Sequence, residues 1–204
     1  MQGKAHWEHI YATKPADGVS WYQAHADRSL ALIRGTGTPR SGAIIDVGGG
    51  ASTLVDDLLA DGYTDLTVLD LSAAALETAK HRLASRAGHA TWLEGDVTAV
   101  ELPAQRYDVW HDRAVFHFFT DEKDRRAYIA NVLRSVKPLG HVILATFAED
   151  GPTHCSGLPV VRYSSEQLHT EFGASFTLLH AAPEAHHTPF GTVQKFVYCC
   201  CRLA

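Results

Sequence analysis

The sequence predicts an α/β fold: a doubly wound, mostly parallel sheet with helices on both faces. Three observations predict it. Short apolar runs alternate with helical patterns from residue 43 onward, a glycine-rich turn follows the first run, and two strand-like runs close the chain with no helix between them. With 204 residues and 46% hydrophobic content, the chain has the size and core material of one compact α/β domain.

Residues 4 to 34 are rich in aromatics and are expected to end in a helix capped by Ser20, with Gln23 three positions on completing a capping box and Leu30, Leu32 and Ile33 at its apolar end. Gly35-Thr-Gly-Thr-Pro-Arg-Ser-Gly42 breaks that helix, and Ala43 to Val47 is a short apolar run suited to a buried parallel strand. Leu54, Val55, Leu58 and Leu59 recur at helical spacing, Leu66 to Leu69 is a second strand, and Ser72 opens an alanine-rich helix to about Arg86. Ala90 to Leu93 and Tyr107 to Trp110 are the third and fourth strands, followed by a helix from about Asp121 to Val136 and a strand from His141 to Phe147. Strict alternation of this kind implies right-handed crossovers. Ser164 and Gln167 cap a last helix. Phe176 to Leu179 and Val193 to Cys201 then form an antiparallel edge, joined by an irregular connection from Ala181 to Thr192 that holds Pro183, Pro189 and Gly191.

Charge and cysteine usage exclude several classes of function. Lys and Arg number 18 against 23 Asp and Glu, for a formal charge of −5, with no basic run to follow a phosphate backbone, so duplex nucleic acid is not expected as a partner. No apolar stretch reaches the ~18 residues of a membrane span and Met1 to His6 has no leader pattern, so a cytoplasmic protein is expected. Cys199, Cys200 and Cys201 are adjacent and Cys155 stands apart, which fits reduced thiols better than a disulfide framework, and no metal site is expected.

The chemistry concentrates at the strand ends. Asp46-Val-Gly-Gly-Gly-Ala-Ser52 puts three glycines where the chain turns from strand to helix and where a ligand can approach bare backbone. Asp70 closes the second strand 24 residues after Asp46, near the spacing of an acid that accepts hydrogen bonds from ribose hydroxyls, and Asp96 follows the third strand. A nicotinamide-dependent oxidoreductase is the alternative from another class, but its G-x-G-x-x-G fingerprint fails at Thr53 and no tyrosine has a lysine four residues later. A carboxylate cluster suits a cationic ligand and repels a pyrophosphate.

Asp46, Gly48, Gly50 and Ser52 resemble the D-x-G-x-G-x-G motif of the class I, seven-stranded S-adenosylmethionine-dependent methyltransferases, with serine for the last glycine. The likeness runs from about Ser41 to the C-terminus and includes the Lys137-Pro-Leu-Gly140 turn, where Leu139 stands at a position that is often glycine. The resemblance implies a seven-stranded sheet, S-adenosylmethionine as cofactor and S-adenosylhomocysteine as product. Gly48, Gly49 and Gly50 would pass under the methionine part, Asp46 would help hold its amino group, Asp70 and Leu71 would take the ribose, and Asp96 with Val97 would read the adenine. One methyltransferase domain over 1–204 is expected, with 1–40 as a helical lid region and 41–204 as the core. Tyr11, Trp21 and Tyr22 are lid candidates, and their rings serve equally as packing that pins the N-terminal helices.

Methyl transfer from a sulfonium gains most from alignment and exclusion of water, so a general base is optional. Polar residues follow the fourth strand: His111, expected to line cofactor and acceptor; His117, the candidate base; and Asp112 and Arg113, with Phe116 beside them. Cys155, His186, His187 and Phe190 lie on two loops that can border an acceptor. The segment lacks the Asn/Asp-Pro-Pro-aromatic tetrapeptide and the Pro-Cys pair of enzymes that methylate DNA bases. A small-molecule acceptor is therefore expected first and a protein side chain such as lysine second. A silent cofactor-binding subunit stays open.

Overall fold

The computed structural model describes residues 3–204. Seven strands form one sheet in the order β3-β2-β1-β4-β5-β9-β8. They are β1 Ala43–Val47, β2 Asp65–Asp70, β3 Ala90–Glu94, β4 Tyr107–Arg113, β5 Val136–Phe147, β8 Phe176–His187 and β9 Val193–Leu203. The first five pair in parallel, while β9 is antiparallel to both β5 and β8. Two short strands, β6 His154–Cys155 and β7 Leu158–Pro159, pair as a separate hairpin. The strand order reverses between β1 and β4, where an open α/β sheet leaves a crevice at its carboxyl edge.

Alternation along the strands divides the core into two layers. Ile45 and Val47 of β1 and Trp110 of β4 bury against Tyr128 and Val132 of α5 (Glu122–Ser135) and Leu168 and Phe172 of α6 (Ser165–Phe172). Ile44 and Val109 bury on the other face with Ile33 of α2 (Asp27–Gly35), Leu54 and Leu58 of α3 (Leu54–Ala60) and Leu76 of α4 (Ala73–Leu83). Ser72 caps α4 by accepting from the Ala75 amide, and Ser164 with Gln167 makes a complete capping box on α6. Leu139 takes φ +64°, the left-handed backbone that explains why glycine is common at that point of the turn.

Four expectations need correction. The N-terminal segment holds two helices, α1 (Lys4–Thr13) and α2, and Ser20 caps neither; the cap of α2 is Ala26, whose amide donates to Asp57 Oδ2 of α3 at 2.8 Å. Residues 19–26 form a strap of turns and bends instead, fixed by Thr53 Oγ1 donating to the Gln23 carbonyl (3.0 Å) and by His186 Nε2 at the Ser20 carbonyl (2.8 Å). Strand β4 runs on to Arg113, and β5 begins at Val136 rather than His141, with a register irregularity between Tyr107 and Val109. Strand β8 continues through the expected connection to His187; Pro183 is tolerated because β8 is the outer strand of the sheet. Among the described residues no helix is long and apolar enough to cross a membrane.

Candidate active site

The glycine turn is built for close approach. Gly48 has φ +69°, and a Cβ there would lie 2.1 Å from Val115 Cγ2, so only glycine fits. A Cβ on Gly50 would lie 2.6 Å from Asp70 Oδ2 and 2.4 Å from the Ala75 Cβ. Gly49 passes directly over the Asp46 carboxylate.

Asp70 is buried and holds this turn while it faces the cavity beside it. Its Oδ2 accepts from the Gly50 amide at 3.0 Å and its Oδ1 from the Ser72 amide at 2.8 Å. Burial pushes its carboxyl up to about 6, against the pull of those two amides and with the help of nearby Asp46 and Glu8. Each oxygen keeps a further lone pair for a ligand hydroxyl. Asp96 Oδ1 accepts from the Thr98 amide (2.8 Å) and the Thr98 hydroxyl (2.7 Å), while its neighbours Gly95 and Val97 line the cavity.

The β1–β4 register sets Asp46 beside His111, and Arg113, two residues on, falls on the same face. His111 is buried with both ring nitrogens engaged, Nδ1 to Asp46 Oδ1 at 2.7 Å and Nε2 to Ser29 Oγ at 2.8 Å. Asp112 points to the opposite layer and holds the next turn: it accepts from Tyr128 Oη (2.6 Å), the Val115 amide (2.9 Å) and the Phe116 amide (3.1 Å). Burial raises its carboxyl to about 6. Phe116 is core, packed on Tyr128 and Phe172.

A cavity of about 350 Å³ opens at the carboxyl edge. Its floor is Val47, Gly48, Leu69, Asp70, Leu71, Gly95 and Val97; its far wall is Arg113, Ala114, Val115, Cys155, Leu158 and Pro159. Trp7, Tyr11, Trp21 and Phe118 line it as an aromatic cluster, Trp7 lying 5.2 Å from Phe118 and 6.0 Å from Trp21, centroid to centroid. Thr120, Asp121 and Asp124 complete the lining. A smaller cavity of about 50 Å³ adjoins it, lined by Asp46, Gly48, Gly49, Tyr22, His111 and Arg113 among others. Tyr11, Trp21, Gly48 and Arg113 border both.

The structure therefore brings together Asp46, Gly48, Gly49, Asp70, Leu71, Val97, Tyr11, Trp21, Tyr22, His111, Arg113 and Cys155, with Gly50 directly behind Asp70. It leaves out the Asp96 and Asp112 carboxylates, Phe116, His117, His186 and His187. His117 is fully buried between Phe118 and Phe147. Its Nδ1 accepts a long 3.4 Å hydrogen bond from the Phe147 amide, its Nε2 has no partner, and burial pushes it down to about 3, so the ring is neutral and off the cavity. His186 and His187 border a surface depression with His25 and Pro189. Burial raises the Cys155 thiol to about 12, and all four cysteines are free.

Sequence reasoning missed Trp7, Glu8, Phe118 and the hairpin residues Leu158 and Pro159. Trp7 and Tyr11 are four residues apart on α1, a spacing that places them on one face. Glu8 docks that helix by accepting from the amides of Ala73 (2.7 Å) and Ala74 (3.2 Å) at the start of α4, where a helix N-terminus favours an anion.

Residues 44–140 match a family model described as a methyltransferase domain. The chain is 27% identical over 139 residues to the eEF1A lysine and N-terminal methyltransferase of Bos taurus and 25% identical to that of Mus musculus, in each case over 68% of this chain but only 19% of the relative. It thus spans about a fifth of the length of those proteins. Among solved structures, one concerning the conversion of a disulfide bond into a thioacetal group during echinomycin biosynthesis superposes with a TM-score of 0.79 at 19% identity, covering 98% of this chain and 92% of the other. The glycopeptide N-methyltransferase MtfA, solved with S-adenosylmethionine, superposes with a TM-score of 0.68 at 18% identity over 94% of this chain and all of the other. A methyltransferase from Anabaena variabilis gives 0.73 at 12%, covering 98% and 93%. The family match places a methyltransferase domain in residues 44–140, and the strand order with its antiparallel end is the fold of the class I S-adenosylmethionine-dependent methyltransferases to which the chain is similar.

Proposed function

We propose that the chain moves a methyl group from S-adenosylmethionine to a small-molecule nucleophile with an apolar body. The observation that carries this reading is the apolar and aromatic lining of the cavity beside the glycine turn. The glycine turn and Asp70 line one part of it, and α1, the 19–26 strap, the turn after β4 and the β6–β7 hairpin add Trp7, Trp21, Phe118, Leu158 and Pro159. Its volume of about 350 Å³ lies in the range of sites for small ligands, ~300–1,000 Å³.

The residues present fit the cofactor. Asp46 keeps one buried carboxylate oxygen without a partner, the Gly50 position has no room for a side chain, and Asp70 stands where ribose hydroxyls would come. When bound, S-adenosylmethionine supplies a methyl group already activated on a sulfonium. Asp70 would accept from the ribose, Gly95 and Val97 would border the adenine, and the aromatic faces of Tyr11, Trp21 and Phe118 would suit a cationic centre.

The chain's own part is then alignment and exclusion of water. None of the residues lining the larger cavity is a histidine. His111 is held on both nitrogens, and His117 is sealed in the core. With no histidine in place, the acceptor attacks with a lone pair it already has, and any proton passes to solvent or to a lining carboxylate such as Asp121. A protein lysine is the second reading, favoured by the likeness to the eEF1A lysine and N-terminal methyltransferases.

The test is an acceptor screen that reads release of S-adenosylhomocysteine from small amines, thiols, phenols and metalloids, and from RNA-free protein extracts. Turnover confined to the small molecules supports the first reading. Turnover confined to the extracts replaces it with the second.

A further inference from the structure

We infer that the acceptor is an uncharged amine, and that Trp7, Trp21, Phe118 and Asp121 form the wall that holds the positive charge its nitrogen gains on methylation. This rests on the methyl-transfer reading above and names the acceptor's chemistry within the larger cavity.

The floor of that cavity, from the glycine turn to Val97, is where the nucleoside ligand would lie, which leaves the aromatic wall and the start of α5 to the acceptor. Trp7 meets Phe118 at 75° and Trp21 at 79°, with ring centroids 5.2 and 6.0 Å apart, so these rings pack edge to face and neither pair is stacked shut. All three are partly buried. Arg113 is the one Lys or Arg among the described residues lining the cavity, and its guanidinium is already engaged: Nη2 is ion-paired with Glu184 Oε2 at 3.5 Å, Nη1 donates to the Trp21 carbonyl at 3.1 Å and Nε to Tyr198 Oη at 3.0 Å. Asp121 stands at the exposed rim, where its Oδ1 caps α5 by accepting from the Lys123 amide at 2.8 Å. One such bond leaves a carboxylate with further lone pairs to offer.

Charge separates the acceptor classes. The lone pair of a neutral amine forms the new N–C bond, the S–C bond breaks with its electron pair left on sulfur, and one positive charge passes from sulfur to nitrogen. A primary or secondary amine then sheds a proton to Asp121 or to water. Positive charge persists through the whole step, so aromatic faces and a carboxylate on the acceptor side stabilise it where it develops. A thiolate or phenolate cancels that charge instead. The same surroundings would then favour the cation before transfer and repel the incoming anion, with no engaged cation to spare for it, and the barrier would rise.

The experiment mimics the charged product with quaternary ammonium ions, titrated by calorimetry into the full chain saturated with S-adenosylhomocysteine. Benzyltrimethylammonium is compared with benzyl alcohol and phenylacetate, and butyltrimethylammonium with butanol and pentanoate. Within each set the ammonium should bind about 3- to 30-fold more tightly than the alcohol, the range for a cation over aromatic faces, and the carboxylate should bind most weakly. Trp7→Leu, which keeps apolar bulk, should remove most of that preference with alcohol affinity within about twofold. Asp121→Asn, which still caps the helix, should trim it by about twofold, and by less at high salt. Ammonium ions that bind no better than the matched alcohols, or a preference left intact by both Trp7→Leu and Asp121→Asn, overturn the amine assignment. A wild-type protein that does not bind S-adenosylhomocysteine overturns the cofactor reading itself, which sets that failure apart.

Discussion

The carboxyl ends of β1 and β2 differ sharply from the carboxyl end of β4, though all three border the crevice. At the first two, the cavity floor is bare backbone and Asp70, set in place by a turn whose residues are neighbours in sequence. At β4, a run full of reactive side-chain types turns inward: Asp112 holds the next turn, His111 is pinned between Asp46 and Ser29, and His117 is sealed among rings. What separates them is where each side chain's hydrogen bonds go. A carboxylate or imidazole whose capacity is used inside the protein supports the site without acting in it.

The contrast breaks most visibly at Asp112. Asp112→Ala leaves Tyr128 Oη and the Val115 and Phe116 amides without their acceptor, so stability in a denaturant titration should drop by on the order of 3 kcal/mol. S-adenosylhomocysteine affinity of the folded fraction should be unchanged; a stable variant that loses the ligand would put Asp112 in the site after all. Gly50→Ala should do the reverse, weakening the ligand by about tenfold or more as its methyl group displaces Asp70, at a strain of about 1–3 kcal/mol.

His117 gives a pH test of the same contrast. Its native value near 3 lies below the ordinary 6.5, so the unfolded chain binds the extra proton first. Stability should therefore fall as the pH drops from about 6.5 toward 3. His117→Gln should flatten that limb in thermal melts while turnover at neutral pH changes little; a ~10²-fold loss of turnover would restore it as a base. The smallest effect belongs to the roof, where Trp7→Ala should raise the acceptor KM by roughly 3- to 10-fold, the loss of an aromatic contact, and leave ligand affinity nearly intact.

The same contrast explains what the sequence revealed. The apolar runs, the glycine turn, Asp70 and the Ser164–Gln167 box are local signals, and each stands where its pattern places it. The last three residues of β4, His111, Asp112 and Arg113, look like loop residues in the sequence because their partners lie far off on α2, α5 and β9. The Ser20 signal failed because Ala26 is tied to Asp57 on α3, a partner 31 residues away. The roof was legible only as aromatic content; Glu8 binding the start of α4 and Trp7 meeting Phe118 are long-range contacts with no local signature.

The central claim is that this crevice holds a methionine-derived nucleoside through the ends of β1 and β2. Calorimetric titration of S-adenosylhomocysteine into the wild-type protein and Asp70→Asn tests it most directly. Asparagine is the better probe than alanine, since Asp70 also anchors the Gly50 and Ser72 amides and the variant keeps an acceptor for one of them. The account predicts saturable one-to-one binding, weakened by about 10- to 100-fold in Asp70→Asn with a lowered but still cooperative melt, since one backbone amide loses its acceptor, and no heat from NADH. Saturable NADH binding with no response to S-adenosylhomocysteine, or an Asp70→Asn variant that binds it as tightly as the wild-type protein, would contradict it.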